Sequence, residues 1–207
     1  MRLPVLNAIP VRLDYLIVQS EYFFQSKTTD LRLASKNTSM ENPKKSPITI
    51  GAKGGKIFSV VGDTYRILVG GAETNGAFAA IDMLIPPNGG PGPHEHAQIE
   101  ESFYVIEGEI EVKSEFGEYI ATKGSFVNIP KGGVVHGFKN KTDKIAHLLC
   151  VVVPSGLDTF FEEIGKPVGY GEFLPPPPMD PESAKQLMAI AEKHGQKVFP
   201  PDYLDKV

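Results

Sequence analysis

An antiparallel β-sandwich or barrel followed by short C-terminal helices is the architecture this sequence predicts, on three observations. Short runs rich in β-branched and apolar residues follow one another closely from about residue 57 to residue 153, with no helical period between them. Eighteen prolines and twenty-one glycines among 207 residues punctuate those runs, which suits a turn-rich β fold and not a helical bundle. Beyond Pro154 the apolar spacing becomes helical. The length fits one domain with appended arms, and no internal repeat suggests a duplicated domain.

Residues 1–47 lack clean alternation and end in the polar stretch from Ser35 to Ser46. They read as an N-terminal arm, and residues 11–18 or 22–24 could pair with a sheet edge or a second subunit. Met40 starts a stretch that reads naturally as a domain start, so residues 1–39 are also read as an over-extended start. Residues 48–154 form the expected barrel. Strands are expected at 57–61, 64–69 and 77–85, separated by Gly62-Asp63 and by the glycine-rich stretch from Gly70 to Gly76, both turn compositions. A Gly/Pro loop, 86–93, leads to strands at 102–106 and 109–114. The turn Glu115-Phe116-Gly117 joins the second of these to 118–122 as a hairpin. Three further strands are expected at 125–129, 134–139 and 146–153. Residues 155–207 form a helical extension. Leu157, Phe160, Phe161 and Ile164 follow helical spacing up to Gly165, and Asp180 and Pro181 are a suitable cap and first residue for a helix ending at Gly195.

Composition narrows the function classes. With 22% charged residues and a formal charge of −4, no polyanion-binding surface is indicated, and no basic stripe or helix-turn-helix accompanies the strands; nucleic acid is not an expected partner. No apolar run approaches a membrane span, and prolines and Asp14 break the N-terminal segment where a secretory signal needs an unbroken apolar stretch. The single Cys150, in an apolar run, reads as core packing and excludes an intrachain disulfide framework. A cytoplasmic location is expected.

Chemistry concentrates in two segments. Gly92-Pro93-His94-Glu95-His96 is followed after four residues by Glu101 and after six more by Gly108; His136 lies in a second glycine- and proline-framed segment from Gly124 to Asn140. Two imidazoles one residue apart face the same side of an extended segment, so one metal can bridge them. Imidazole nitrogens with one carboxylate suit a divalent transition metal, and manganese, iron, cobalt, nickel, copper and zinc all remain open. Glu100 and Glu101 compete for the carboxylate position. Glu101 is preferred because it shares strand parity with Phe103 and Val105. Phe138 and Asn140 share parity with His136. Phe103, Val105, Phe138, Met83 and Ile81 are candidate pocket walls, each equally an ordinary core residue. His147 reads as a core or edge histidine, and His194 as a structural residue at a helix C-terminus.

On these two segments the chain resembles the cupin superfamily. One departure is an extra glycine between Pro130 and His136. The resemblance implies a double-stranded β-helix (jelly-roll barrel) over about residues 51–154, holding one divalent metal per chain through His94, His96, Glu101 and His136. It also implies a homodimer that packs or exchanges terminal strands. The segments Phe78 to Pro87, Pro154 to Gly165 and Asp180 to Pro201 are similar to those of the single-domain, quercetinase-like branch. That similarity implies a dioxygenase cleaving a flavonol or related enolic small molecule with O2, with Glu101 as ligand, base, or both. An isomerase or lyase using the same ligands, and a non-enzymatic metabolite- or metal-binding protein, are the alternatives.

Overall fold

The computed structural model describes residues 46–206. The expected N-terminal arm, its strand at 11–18 or 22–24 and the start near Met40 lie outside the described residues. From Lys56 the chain forms β1 (Lys56–Val60), β2 (Asp63–Val69), a one-turn helix α1 (Gly71–Thr74) and β3 (Ala79–Ile85). It continues through β4 (His94–Glu95), β5 (Glu100–Glu107), β6 (Glu109–Ser114), β7 (Gly117–Thr122), β8 (Phe126–Ile129), β9 (His136–Lys139) and β10 (Ala146–Val153). The C-terminal part contributes α2 (Leu157–Ile164), β11 (Lys166–Pro167), α3 (Pro181–Lys193), β12 (Lys197–Val198) and a 3-10 turn at Tyr203–Asp205.

These strands make two antiparallel sheets. One has the order β11-β1-β2-β3-β10-β5-β8, the other β12-β4-β9-β6-β7. Side-chain alternation explains why they face each other: Ile81, Met83 and Ile85 on β3, Phe103 and Val105 on β5, and Leu148, Cys150 and Val152 on β10 are buried toward the second sheet. That sheet answers with Ile110, Val112, Ala121 and Phe138 in the same core. Phe103 meets Phe138 edge to face, ring centroids 5.2 Å apart, across the two layers. The result is a jelly-roll barrel.

The outer face of β3 holds a polar clamp. Asp82 accepts from Arg66 Nε at 2.8 Å and from His147 Nε2, while Arg66 also donates to the Ala52 carbonyl at 2.6 Å. His147 therefore belongs to this outer ionic cluster, opposite the barrel interior.

The C-terminal extension is more than helices. Asp180 caps α3 by accepting from the Ser183 N–H, as its sequence suggests, and α2 lays Phe161 edge to face on Tyr65 of β2 at 4.8 Å. Yet β11 extends the first sheet (Phe58 opposite Pro167), and β12 extends the second (Val198 opposite His94). Two-residue strands have no readable period, so sequence alone did not show them. The stretch from Gly70 to Gly76, expected as a turn, contains α1; Glu73 accepts from the Gly70 N–H and closes this single helical turn.

The 86–93 loop, which delivers the first histidine, is tied down through Asn88, Gly89 and Gly90. Asn88 N–H donates to the Asn140 carbonyl, Asn140 N–H to the Gly89 carbonyl, and Gly90 N–H to the Asp63 carboxylate. Gly90 has φ of 114°, and a Cβ there would stand 2.2 Å from the Phe138 carbonyl oxygen. Gly90→Ala combines positive-φ strain with a backbone clash. It is expected to lower stability by about 2 kcal/mol or more. Urea midpoints of the two proteins measure this, and an unchanged midpoint would contradict the packing described.

Candidate metal centre

Four side chains from three segments converge between the sheets. His94 lies on β4, His96 one residue beyond its end, Glu101 on β5 of the opposite sheet and His136 on β9. One ligand-type atom from each lies within 4.8 Å of the others. His96, Glu101 and His136 are buried, Glu101 to 3% exposure, whereas neighbouring Glu100 is only half-buried. The strand-parity argument thus selects the carboxylate that joins the histidines.

Backbone carbonyls orient the three rings. His94 Nδ1 meets the Gly92 carbonyl at 2.9 Å, His96 Nδ1 that of Ile99 at 3.0 Å, and His136 Nδ1 that of Val134 at 2.9 Å. A carbonyl can only accept, so each Nδ1 carries the proton. In a neutral ring Nε2 is then a lone pair. The Nε2 atoms of His96 and His136 face Glu101 Oε2 at 3.1 and 3.2 Å. Lone pairs facing a carboxylate repel unless a cation lies among them or a ring takes a second proton.

The titration tendencies agree with a cation-seeking site. Burial opposes charge on Glu101, but hydrogen bonds from His136 and His96, made when those rings take a second proton in place of a cation, outweigh it and hold the carboxyl far below its ordinary range. Burial likewise opposes charge on His96, and the bond to Glu101 raises that ring above its ordinary value. Desolvation, with His136 adjacent, lowers His94 to about 4, so His94 is neutral at physiological pH. Three oriented imidazole nitrogens and one ionised carboxylate form a donor set that fits a divalent transition metal.

Cys150 also belongs here. Its Sγ lies 3.4 Å from Glu101 Oε1, and burial, then the Glu101 charge, pushes the thiol up, so it is a neutral donor to the carboxylate. The parity shared with Leu148 and Val152 turned it inward, but its closeness to Glu101 depends on the β10–β5 register. Asn140 has a local task. Its Nδ2 donates to the Ile85 and Lys144 carbonyls, and its Oδ1 accepts from Thr142.

Of the candidate pocket walls, Phe138 borders an open cavity of about 440 Å³ with Lys113, Lys139 and Lys141 at its rim. Ile81, Met83, Phe103 and Val105 sit in the buried core. A second cavity, about 190 Å³, adjoins the metal cluster itself. Its wall includes His94, Asp63 and Tyr65, with Phe160, Leu187 and Gln196 from the C-terminal extension. Tyr65 OH donates to Asp63 at 2.9 Å. Burial pushes Asp63 up to about 7 against the lowering effect of that bond and of Gly90 N–H. Sequence reading placed Asp63 in a turn; its parity with Tyr65 and Ile67 was the signal that it faces inward.

Residues 81–152, about a third of the chain, match the family model described as Cupin domain. No curated protein sequence matches the chain. Among solved structures, a cupin-superfamily sugar phosphate isomerase from Silicibacter pomeroyi is 21% identical, with a TM-score of 0.45 over 53% of this chain and 77% of that one. An RmlC-like cupin from Shewanella frigidimarina is 21% identical, with a TM-score of 0.47 over 56% of this chain and 96% of that one. Ectoine synthase from P. lautus is 23% identical, with a TM-score of 0.41 over 61% and 86%. No helix among the described residues is long and apolar enough to cross a membrane. The family match to the Cupin domain runs from β3 to β10, the segment that carries all four converging side chains.

Proposed function

We propose that this chain is a metal-dependent dioxygenase that cleaves a flavonol or related enolic small molecule with O2, the reading its resemblance to quercetinase-like cupins suggests. The observation that carries it is the set of Nε2 lone pairs converging on an ionised, buried Glu101, beside a cavity with largely apolar walls. His94, His96, Glu101 and His136 would hold the metal. When bound, a divalent transition metal supplies charge stabilisation to an enolate oxygen and electronic contact with O2. The remaining work falls to the chain. Glu101, kept ionised by its two histidine partners, suits the task of ligand better than that of base. Asp63 on the cavity wall, raised to about 7, is better matched to taking the enol proton at neutral pH. Phe160, Leu187 and Val198 keep water from that proton and from reactive oxygen species.

Elemental analysis beside oxygen-electrode traces tests the proposal, with protein stripped by chelator and reloaded with manganese, iron, cobalt, nickel or copper. The substrate panel comprises flavonols and one-ring hydroxyketones. The expected result is about one metal per chain and metal-dependent uptake of one O2 per substrate consumed. Turnover without O2 uptake would replace the dioxygenase by an isomerase or lyase. Bound metal with no turnover of any panel member would favour a binding protein.

A further inference from the structure

The C-terminal extension carries an unanswered buried hydrogen-bond donor on a residue that also lines the cavity beside His94. Gln196, just beyond α3, is only 7% exposed, and its amide nitrogen has no hydrogen-bond partner among the described residues. An unpaired buried donor costs about 1–3 kcal/mol, and an apolar side chain of similar shape would avoid that cost. The same residue lines the 190 Å³ cavity that His94 also lines. A bound molecule reaching both would accept from Gln196 at one end and face the metal cluster at the other.

The cavity restricts what that molecule can be. No lysine or arginine lines it, and Asp63 is its single acidic residue, so away from the metal cluster a phosphorylated or carboxylated ligand finds no counter-charge. Its volume is below the range of roughly 300–1,000 Å³ common for drug-sized ligands, and a three-ring flavonol exceeds it. Resting on the metal-and-enol reading above, we infer that this cavity is a substrate pocket for compact, uncharged hydroxyketones, and that Gln196 donates to an oxygen of the ligand. Gln196 is a specificity residue supplied by the extension, outside both barrel motifs.

Maltol, a one-ring hydroxyketone, is a suitable probe, because it keeps the vicinal hydroxyl and carbonyl of a flavonol at a fraction of the size. The full chain, loaded with redox-inert zinc, is titrated with maltol by calorimetry as wild type, as Gln196→Leu and as Val198→Phe; the last narrows the cavity from an exposed strand position. Zinc is measured in every sample. Gln196→Leu is expected to bind maltol about tenfold more weakly at unchanged zinc content and to be at least as stable as wild type without ligand. Val198→Phe is expected to weaken maltol as well, and quercetin to bind wild type more weakly than maltol does. Equal maltol affinity in wild type and Gln196→Leu, or a marked loss of ligand-free stability in that variant, would overturn the role of Gln196. Zinc bound without maltol binding would overturn the pocket while leaving the metal centre. A wild type that takes up no zinc would overturn the metal reading and this inference with it.

Discussion

His136→Ala is expected to reduce bound metal from near-stoichiometric to a small fraction, with affinity lower by about 100-fold or more, in a chain that still folds. Loss of a group that merely orients a ligand costs about 10–100-fold in metal affinity, and loss of the ligand itself should cost at least as much. The fold survives because the contribution of His136 to the sheet is its backbone: β9 pairs with β4 at His94 and with β6 from Ser114 to Glu111, whatever side chain projects inward. What changes is the environment of Glu101, which keeps His96 and loses one of its two imidazole partners. The metal-free variant is accordingly expected to be less stable by about 2 kcal/mol. Metal analysis of dialysed protein beside far-ultraviolet circular dichroism separates the two effects. Full metal occupancy in the variant would refute a shared site.

Asp63→Asn should change how stability depends on pH. In the folded chain Asp63 keeps its proton up to about pH 7, because burial disfavours its charge, whereas the ordinary carboxyl value is 3.8. Between those values the unfolded state binds fewer protons than the folded state, so this group's contribution falls as pH rises and levels off above about 7. The full interval corresponds to about 4 kcal/mol, an order of magnitude that partial solvation would reduce. Asn cannot ionise, yet its oxygen can accept from Gly90 N–H and its amide can donate to Tyr65 OH. Other groups, Glu101 and His94 among them, act in the opposite sense as pH rises, so the difference between variant and wild type is the informative quantity. Denaturant titrations of both proteins at pH 5 and pH 8 are expected to show the variant gaining about 3 kcal/mol relative to wild type across that interval. A difference independent of pH would mean that Asp63 is ionised in the folded chain.

The barrel was legible because half-buried strands write their faces into alternate residues. The strands at Glu109–Ser114 and Ala146–Val153 have the bounds their patterns suggest. Parity alone also separated Glu101 from Glu100. The elements that escaped are too short for a period to exist: β4, β11 and β12 have two residues each, and are strands only because a distant segment lies alongside. The same limit hides pairings across the fold. His147 could not be matched to Asp82, nor Cys150 to Glu101, without the register of β10 on its neighbours. Gln196 was invisible for a further reason: its neighbours in sequence describe a helix end, and nothing local records that α3 lies over the barrel beside His94.

The pairing of Val198 with His94 and of His94 with His136 makes the metal-bearing corner a product of assembly order. Its strand β4 has two residues and is held on one side by β12, a segment remote from it in sequence. During synthesis β12 emerges well after the motifs it closes upon. Contacts between such remote positions form late, since loop closure must be achieved before they stabilise anything. The corner is therefore the part of the barrel whose maturation waits for β12, and until then the edge of β4 remains open to other partners.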